Sequence, residues 1–189
     1  IAKAVRRVHP DMKIIAFDTD RESLTAALMD KTLNQAHDHL SQAFSQCDLI
    51  FLCAPVNFNV QNLKILKNIA ADHCIFTDVG SVKTPIHSAV RELGMEHCFI
   101  GGHPMAGSEK SGYANASDRL LENAYYILTP SPATPHKCVA AMTQLIQSIS
   151  ALPIVLDARR HDYIMAAISH LPHMIAYTLV NLVRDFDDE

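Results

Sequence analysis

The chain has 189 residues, of which 49% are hydrophobic and 19% charged, with a formal net charge of −4; this composition supports one good core and part of another, and excludes a disordered or fibrous chain. The charges are scattered, with no Lys/Arg run and no polybasic patch, which argues against a nucleic-acid partner and against membrane-surface binding. The five cysteines, Cys47, Cys53, Cys74, Cys98 and Cys138, form no C-x-x-C pair and read as small buried hydrophobes of a reducing, cytoplasmic compartment.

In chain order, residues 1–8 read as helix, and Lys13 to Phe17 form an apolar strand closed by Asp18. A helix is expected over 21–30, a strand over Asp48 to Cys53, a helix over 58–70, a strand over 74–79 and a helix over 83–93. Strands over 97–100, 124–128 and 153–155 follow, with a helix over 135–149 that takes Thr134 as N-cap and Pro135 at its first position. Strands separated by helices of this length imply βαβ units and a parallel, doubly wound, Rossmann-like α/β sheet over residues 1–156. From Asp157, nearly thirty residues keep helical periodicity up to the acidic end Asp185-Phe186-Asp187-Asp188-Glu189, so residues 157–189 read as the first long helix of an all-helical second domain. No apolar run is expected to span a bilayer, and nothing resembles a signal peptide.

Three strand ends carry cofactor chemistry. A strand closing on an acidic residue is where a Rossmann domain holds the adenosine ribose, so Asp18 would accept hydrogen bonds from the ribose hydroxyls and favour NAD over NADP; an aspartate there equally starts a turn. Ala54-Pro55 stops the next strand where a dinucleotide would cross, and Gly80-Ser81 does the same after the third, although Ser81 also fits an N-cap for the helix beginning near Lys83. The G-x-G-x-x-G fingerprint is absent. Because the chain opens inside a helix at Ile1, without a methionine, the first strand and glycine loop are expected upstream.

The densest signal is the run from Gly101 to Gly112, which holds four of the six glycines around His103. Neither helix nor strand is expected to explain such a run; glycine there would admit positive φ and close approach to a ligand, placing His103 just beyond a strand's carboxyl end, where open α/β sheets bind ligands. Of eleven histidines, His37, His39, His73, His87, His97 and His136 read as solvated. On the long helix Ser169 and His173 are four apart and share a face, with Asp162 seven residues earlier on nearly the same face and His170 pointing elsewhere. Pro172, inside that pattern, implies a kink. His161-Asp162 and His170-x-x-His173 match no standard ligand spacing, so no metal site is expected.

Taken together, Asp78-Val79-Gly80-Ser81-Val82-Lys83, the block Gly101 to Gly112, and His161-Asp162 followed by Ser169-His170-Leu171-Pro172-His173 resemble the prephenate dehydrogenase family, which includes the cyclohexadienyl and arogenate dehydrogenases. The resemblance covers essentially the whole chain. It implies NAD-dependent oxidative decarboxylation of prephenate to 4-hydroxyphenylpyruvate and CO2 in tyrosine biosynthesis, by a homodimer paired through its helical domains. His103 would be the neutral imidazole that accepts a hydrogen bond or proton from the ring hydroxyl, suited to this by an unperturbed pKa of about 6.5. Ser81 would bond the same hydroxyl region and set the nicotinamide against C4, while Ser169 and His173 would line the substrate pocket. Asp18, Ala54, Pro55, Gly80 and Ser81 would line the cofactor. Apolar positions on the long helix, Ile164, Ile168, Ile175, Leu179, Leu182 and Val183, would need burial. The family's substrate-binding arginine lies further along the helical domain than Glu189, so this stretch by itself is expected to show little or no turnover. The alternatives are an arogenate-preferring or dual-specificity cyclohexadienyl dehydrogenase, and a degenerate, non-catalytic relative.

Overall fold

The computed structural model describes residues 1–107 and 112–187; Ser108 to Ser111 of the glycine-rich block, and the last residues of the acidic end, lie outside the described residues. Helix α1 (Ala2–Val8), strand β1 (Ile15–Phe17), helix α2 (Arg21–Met29) and strand β2 (Gln35–His37) come first. They are followed by β3 (Leu49–Leu52), α3 (Val56–Leu66), β4 (Ile75–Asp78), α4 (Thr84–Glu92) and β5 (Phe99–Pro104). The sheet then closes with β6 (Tyr125–Pro130), α5 (His136–Ser148) and β7 (Leu152–Val155).

Strands β1 and β2 pair in parallel as a separate two-stranded sheet, and β3 to β7 form a five-stranded sheet in sequence order. Pairing is parallel except between β5 and β6, which run antiparallel from Ile100↔Pro130 to Pro104↔Tyr126. The fold is therefore Rossmann-like but mixed, correcting the purely parallel expectation. The cause was visible in the chain: no helix was expected between 100 and 124, and a strand that returns without a crossover helix runs antiparallel.

Side chains alternate between two cores. On β4 and β5, Phe76 and Phe99 pack with Leu63, Leu66, Ile86 and Val90 of α3 and α4. The next residue along β5, Ile100, turns to the opposite core with Leu128 of β6, Val5 of α1, and Met142 and Ile146 of α5. Each such fully buried side chain contributes about 1.5–3 kcal/mol relative to leaving it exposed. Helix α2 is capped by Asp20, whose carboxylate accepts the N–H groups of Glu22 and Ser23.

Several local expectations change. Strand β2 was missed because Gln35-Ala36-His37 shows no apolar run. Helix α3 begins directly after Pro55, two residues earlier than its periodicity suggested. Thr134 does not cap α5; its hydroxyl donates to the carbonyls of Phe99 at 2.8 Å and Glu96 at 3.1 Å, and Pro135 takes the cap position. His87 is buried rather than solvated, bonding Thr129 Oγ1 at 3.0 Å and meeting the edge of Phe99. All five cysteines are free, but only Cys74 and Cys98 are buried and Cys53 is exposed.

Strand β5 runs through the first glycines of the block, so His103 lies inside the strand and not beyond it. Neither Gly101 nor Gly102 needs positive φ; a Cβ on Gly101 would press on Thr129 and His87, and one on Gly102 would strike the carbonyl of Asp78. Their smallness serves close packing of the protein against itself. Gly112, at φ 87°, is the member of the block that uses glycine's backbone freedom.

After β7, α6 (Ala158–Met165) passes through a π-helical turn, Ala166–His170, into α7 (Leu171–Asp187). Pro172 lacks an N–H and its ring crowds the carbonyl four residues back, so the wider turn just before it is how the helix accommodates the proline. By length and composition the 27-residue stretch Ala158–Arg184, within which an 18-residue window has a mean hydropathy of 1.2, is long and apolar enough to cross a membrane, contrary to the expectation that no segment is. Ile168, Ile175, Leu179, Leu182 and Val183 are all exposed on it.

Candidate active site

The site is built on Asp78, the fully buried last residue of β4. One carboxylate oxygen accepts the Gly102 N–H at 3.1 Å; the other accepts the Gly80 N–H at 3.0 Å and pairs with the Lys83 ammonium. Lys83, equally buried, also donates to the Gly102 carbonyl at 2.6 Å. This clamp ties the β4–α4 loop to β5, so that Ser81, following Gly80, and His103, following Gly102, are positioned by the same carboxylate. Burial lowers the Lys83 pKa, with Asp78 opposing that shift. Such a pair contributes little net stability, yet losing one partner is costly because the other is stranded.

His103 is half-buried. Its pKa is not the ordinary one expected: burial foremost, then the neighbouring His161, Lys83 and His170, push it down to about 4, against the pull of Asp162. The imidazole is therefore neutral at pH 7. Its Nδ1 lies 2.8 Å from Nε2 of His161, and the two rings meet edge to face at 5.1 Å between centroids. His161 is fully buried on α6, and its Nδ1 lies 2.8 Å from Oδ1 of Asp162. Asp162 in turn accepts the backbone N–H groups of Lys83 and Thr84, each at 2.7 Å, and so caps the start of α4. Ser81, which fitted that cap by spacing, is exposed in the loop and does not make it.

On the cofactor side, Asp18 follows β1 and is exposed, with one oxygen accepting the Asp20 N–H at 2.9 Å. At the matching end of β2, the buried Nε2 of His37 has no hydrogen-bond partner among the described residues. The Ala54-Pro55 turn is shaped by Asn59, buried in α3, whose amide bonds the N–H of Ala54 at 3.1 Å and the carbonyls of Ala54 and Leu52 at 2.7 and 3.2 Å. Helix α4 is reached only past Gly80-Ser81, on the same carboxyl-end side of the parallel strands as Asp18 and Pro55.

The remaining pair lies further along the long helix. His173 is exposed and donates Nδ1–H to the backbone carbonyl of Ser169 at 2.9 Å, with Ser169 half-buried in the π-helical turn. Among the described residues neither bonds to His103 or Ser81, and Asp162 faces α4 instead of joining them. His170, read as pointing away, is close enough for its charge to act on His103. Lys83, Asn59, His161 and Asp162 carry no site role in the sequence reading; the His103–His161 and Lys83–Asp162 bonds span 58 and 79 residues of chain, where no local spacing can signal, whereas Asn59 bonds locally to Ala54 and Leu52. Among the described residues no cluster of three His, Cys, Asp or Glu side chains is arranged to hold a metal ion.

Residues 1–155 match the family profile for the nucleotide-binding domain of prephenate dehydrogenase, and residues 157–189 match that for its dimerization domain. The chain is 34% identical over 183 residues to the prephenate dehydrogenase of Bacillus subtilis, covering 96% of this chain and 49% of that protein. It superposes with a TM-score of 0.88 and 32% identity on the crystal structure of Aquifex aeolicus prephenate dehydrogenase in complex with hydroxyphenyl propionate and NAD+, covering 96% of this chain and 63% of that one. Synechocystis arogenate dehydrogenase is similar at TM-score 0.87 and 29% identity, with 96% and 63% covered. The chain spans about half the length of the curated relatives it matches.

Proposed function

The chain belongs to the prephenate dehydrogenase family, and from that premise we propose that the protein oxidatively decarboxylates prephenate to 4-hydroxyphenylpyruvate and CO2 with NAD, a step of tyrosine biosynthesis. The observation that supports this reading most is His103: a neutral, half-buried imidazole clamped through Asp78 to the loop that carries Ser81.

The residues present fit a dinucleotide. Asp18 has a carboxylate oxygen left over to accept ribose hydroxyls, and the unpartnered His37 Nε2 beside it marks a polar position that the protein alone does not satisfy. The turns at Ala54-Pro55 and Gly80-Ser81 would line the rest of the cofactor. When bound, NAD supplies the hydride acceptor. For the protein's own part, His103 accepts the hydrogen bond or proton of the C4 hydroxyl as hydride leaves C4, the C1–carboxylate bond releases its electrons into the ring, and the ring aromatises. Ser81 bonds the same hydroxyl and orients C4, where small errors cost large factors in rate. His173 and Ser169 face the side chain of the substrate; the His173 Nδ1–H is spent on the Ser169 carbonyl, leaving Nε2 for that contact.

The exposed apolar side chains of α7, together with the match to a dimerization domain, support a homodimer formed through this helix. A second reading, an arogenate or dual-specificity dehydrogenase, is favoured by the likeness to the Synechocystis enzyme. The test is formation of reduced nicotinamide by the full-length protein that carries this stretch, with each substrate, comparing kcat/KM. Turnover of prephenate that collapses in His103→Asn while NAD still binds is expected. Binding of NAD without oxidation of either substrate would leave the degenerate-relative reading in its place.

A further inference from the structure

We propose that His161 and Asp162 are positioning residues for His103, holding it in the Nδ1–H tautomer with Nε2 free for substrate and lending it a second site for the proton it takes up. The tautomer follows from the hydrogen bonds once Asp162 is ionised and both rings are neutral, whereas the proton's path rests on the dehydrogenase reading above.

Burial by itself would raise the Asp162 carboxyl, but the bonds from Thr84, Lys83 and His161 outweigh it and the group ionises more readily than usual. Its two oxygens face the N–H groups that open α4, which also favour negative charge. An ionised carboxylate can only accept, so the bond to His161 requires the proton to sit on His161 Nδ1. A neutral His161 then presents a lone pair at Nε2. The 2.8 Å contact to His103 Nδ1 is a hydrogen bond only if His103 donates, which leaves Nε2 of His103 bare. No other arrangement of protons satisfies both contacts with two neutral rings.

The same chain has a consequence for charge. When His103 takes a proton at Nε2, the imidazolium lies in a half-buried place next to Lys83, His161 and His170, with Asp162 its favourable neighbour among the described residues. Passing its Nδ1 proton to His161 Nε2 moves the positive charge directly against the Asp162 carboxylate. The step balances: the hydroxyl proton goes to His103 Nε2, the His103 Nδ1 proton goes to His161 Nε2, and both return when the product's phenolate oxygen is reprotonated. No net proton is gained or lost at that oxygen.

A purely structural role, with Asp162 capping α4 and His161 filling space, predicts something different. The decisive comparison sets the wild-type full chain beside His161→Gln, whose amide oxygen can still accept from His103, and His161→Phe, which cannot. Nitrogen-15 NMR of the imidazoles is expected to show His103 protonated at Nδ1 in the wild type and in His161→Gln, and to show an Nε2–H population in His161→Phe. The kcat should fall in both variants, by roughly 100-fold or more in His161→Phe, with NAD affinity unchanged, and the pH dependence of kcat should shift because the second proton site is gone. An Nε2–H tautomer in wild-type His103 overturns the positioning role whether or not the protein oxidises prephenate. A normal tautomer with unchanged kcat and pH profile in His161→Gln overturns the proton-sharing role, and that variant serves also if His161→Phe does not fold.

Discussion

Lys83→Met removes the ammonium that Asp78 and the Gly102 carbonyl share, while keeping a long apolar side chain in the same space. Both partners of the ion pair are fully buried. In the variant, Asp78 keeps only the N–H groups of Gly80 and Gly102, and the Gly102 carbonyl loses its donor. Deleting one member of a buried pair costs about 3–5 kcal/mol, because the remaining charge stays desolvated. With a urea dependence of about 2 kcal/mol per molar, a loss of about 4 kcal/mol moves the unfolding midpoint down by about 2 M. Urea unfolding followed by far-UV circular dichroism measures this directly. The variant Lys83→Met with Asp78→Asn should recover part of the loss, since asparagine is neutral and leaves no uncompensated buried charge. A midpoint shift for Lys83→Met of less than about 0.5 M, which is about 1 kcal/mol at that slope, would refute the clamp as the element holding Gly80-Ser81 against Gly102-His103.

Two more outcomes follow from the same geometry. His103 is neutral in the folded protein down to about pH 4 but protonates near about pH 6.5 when unfolded; the unfolded chain therefore binds more protons in between, and stability is full above that window and lost as pH falls through it. His87, also lowered by burial, adds the same sign. The urea midpoint should drop between pH 6.5 and about 5, above the range where the carboxylates matter, and His103→Asn should flatten that slope; identical slopes would count against the neutral buried imidazole. Asn59→Ala removes the three bonds that shape Ala54-Pro55, and stability should fall by about 1–3 kcal/mol together with NAD affinity measured by calorimetry. An Asn59→Ala protein that binds NAD as tightly as the wild type would separate this turn from the cofactor.

The local alternation of apolar runs and helical periods was readable because burial imposes period two on strands and 3.6 on helices, and most elements lie within two residues of where those periods put them. What escaped was polar or long-range. Strand β2 has no apolar signature, and the antiparallel return of β6, signalled only by a missing helix, differs from the parallel expectation. The site was legible in part. Ser81 and His103 stand out by residue type beside glycines, but the reason for those glycines was misread: Gly101 and Gly102 are small because Thr129, His87 and the backbone of Asp78 press on them, not because a ligand does.

By itself the sequence determined the order of elements, the Rossmann-like class, the family resemblance and the singling out of His103 as the candidate imidazole, since these depend on residue type and near-neighbour spacing. Tertiary structure decided the chemistry of that imidazole. Its depressed pKa comes from burial and from charges on α4 and the long helix, and its hydrogen-bonded partner comes from 58 residues away. Asp162 reaches across 79 residues to the start of α4. Contacts of that separation are set by how helices pack on a sheet, and no spacing along the chain encodes them.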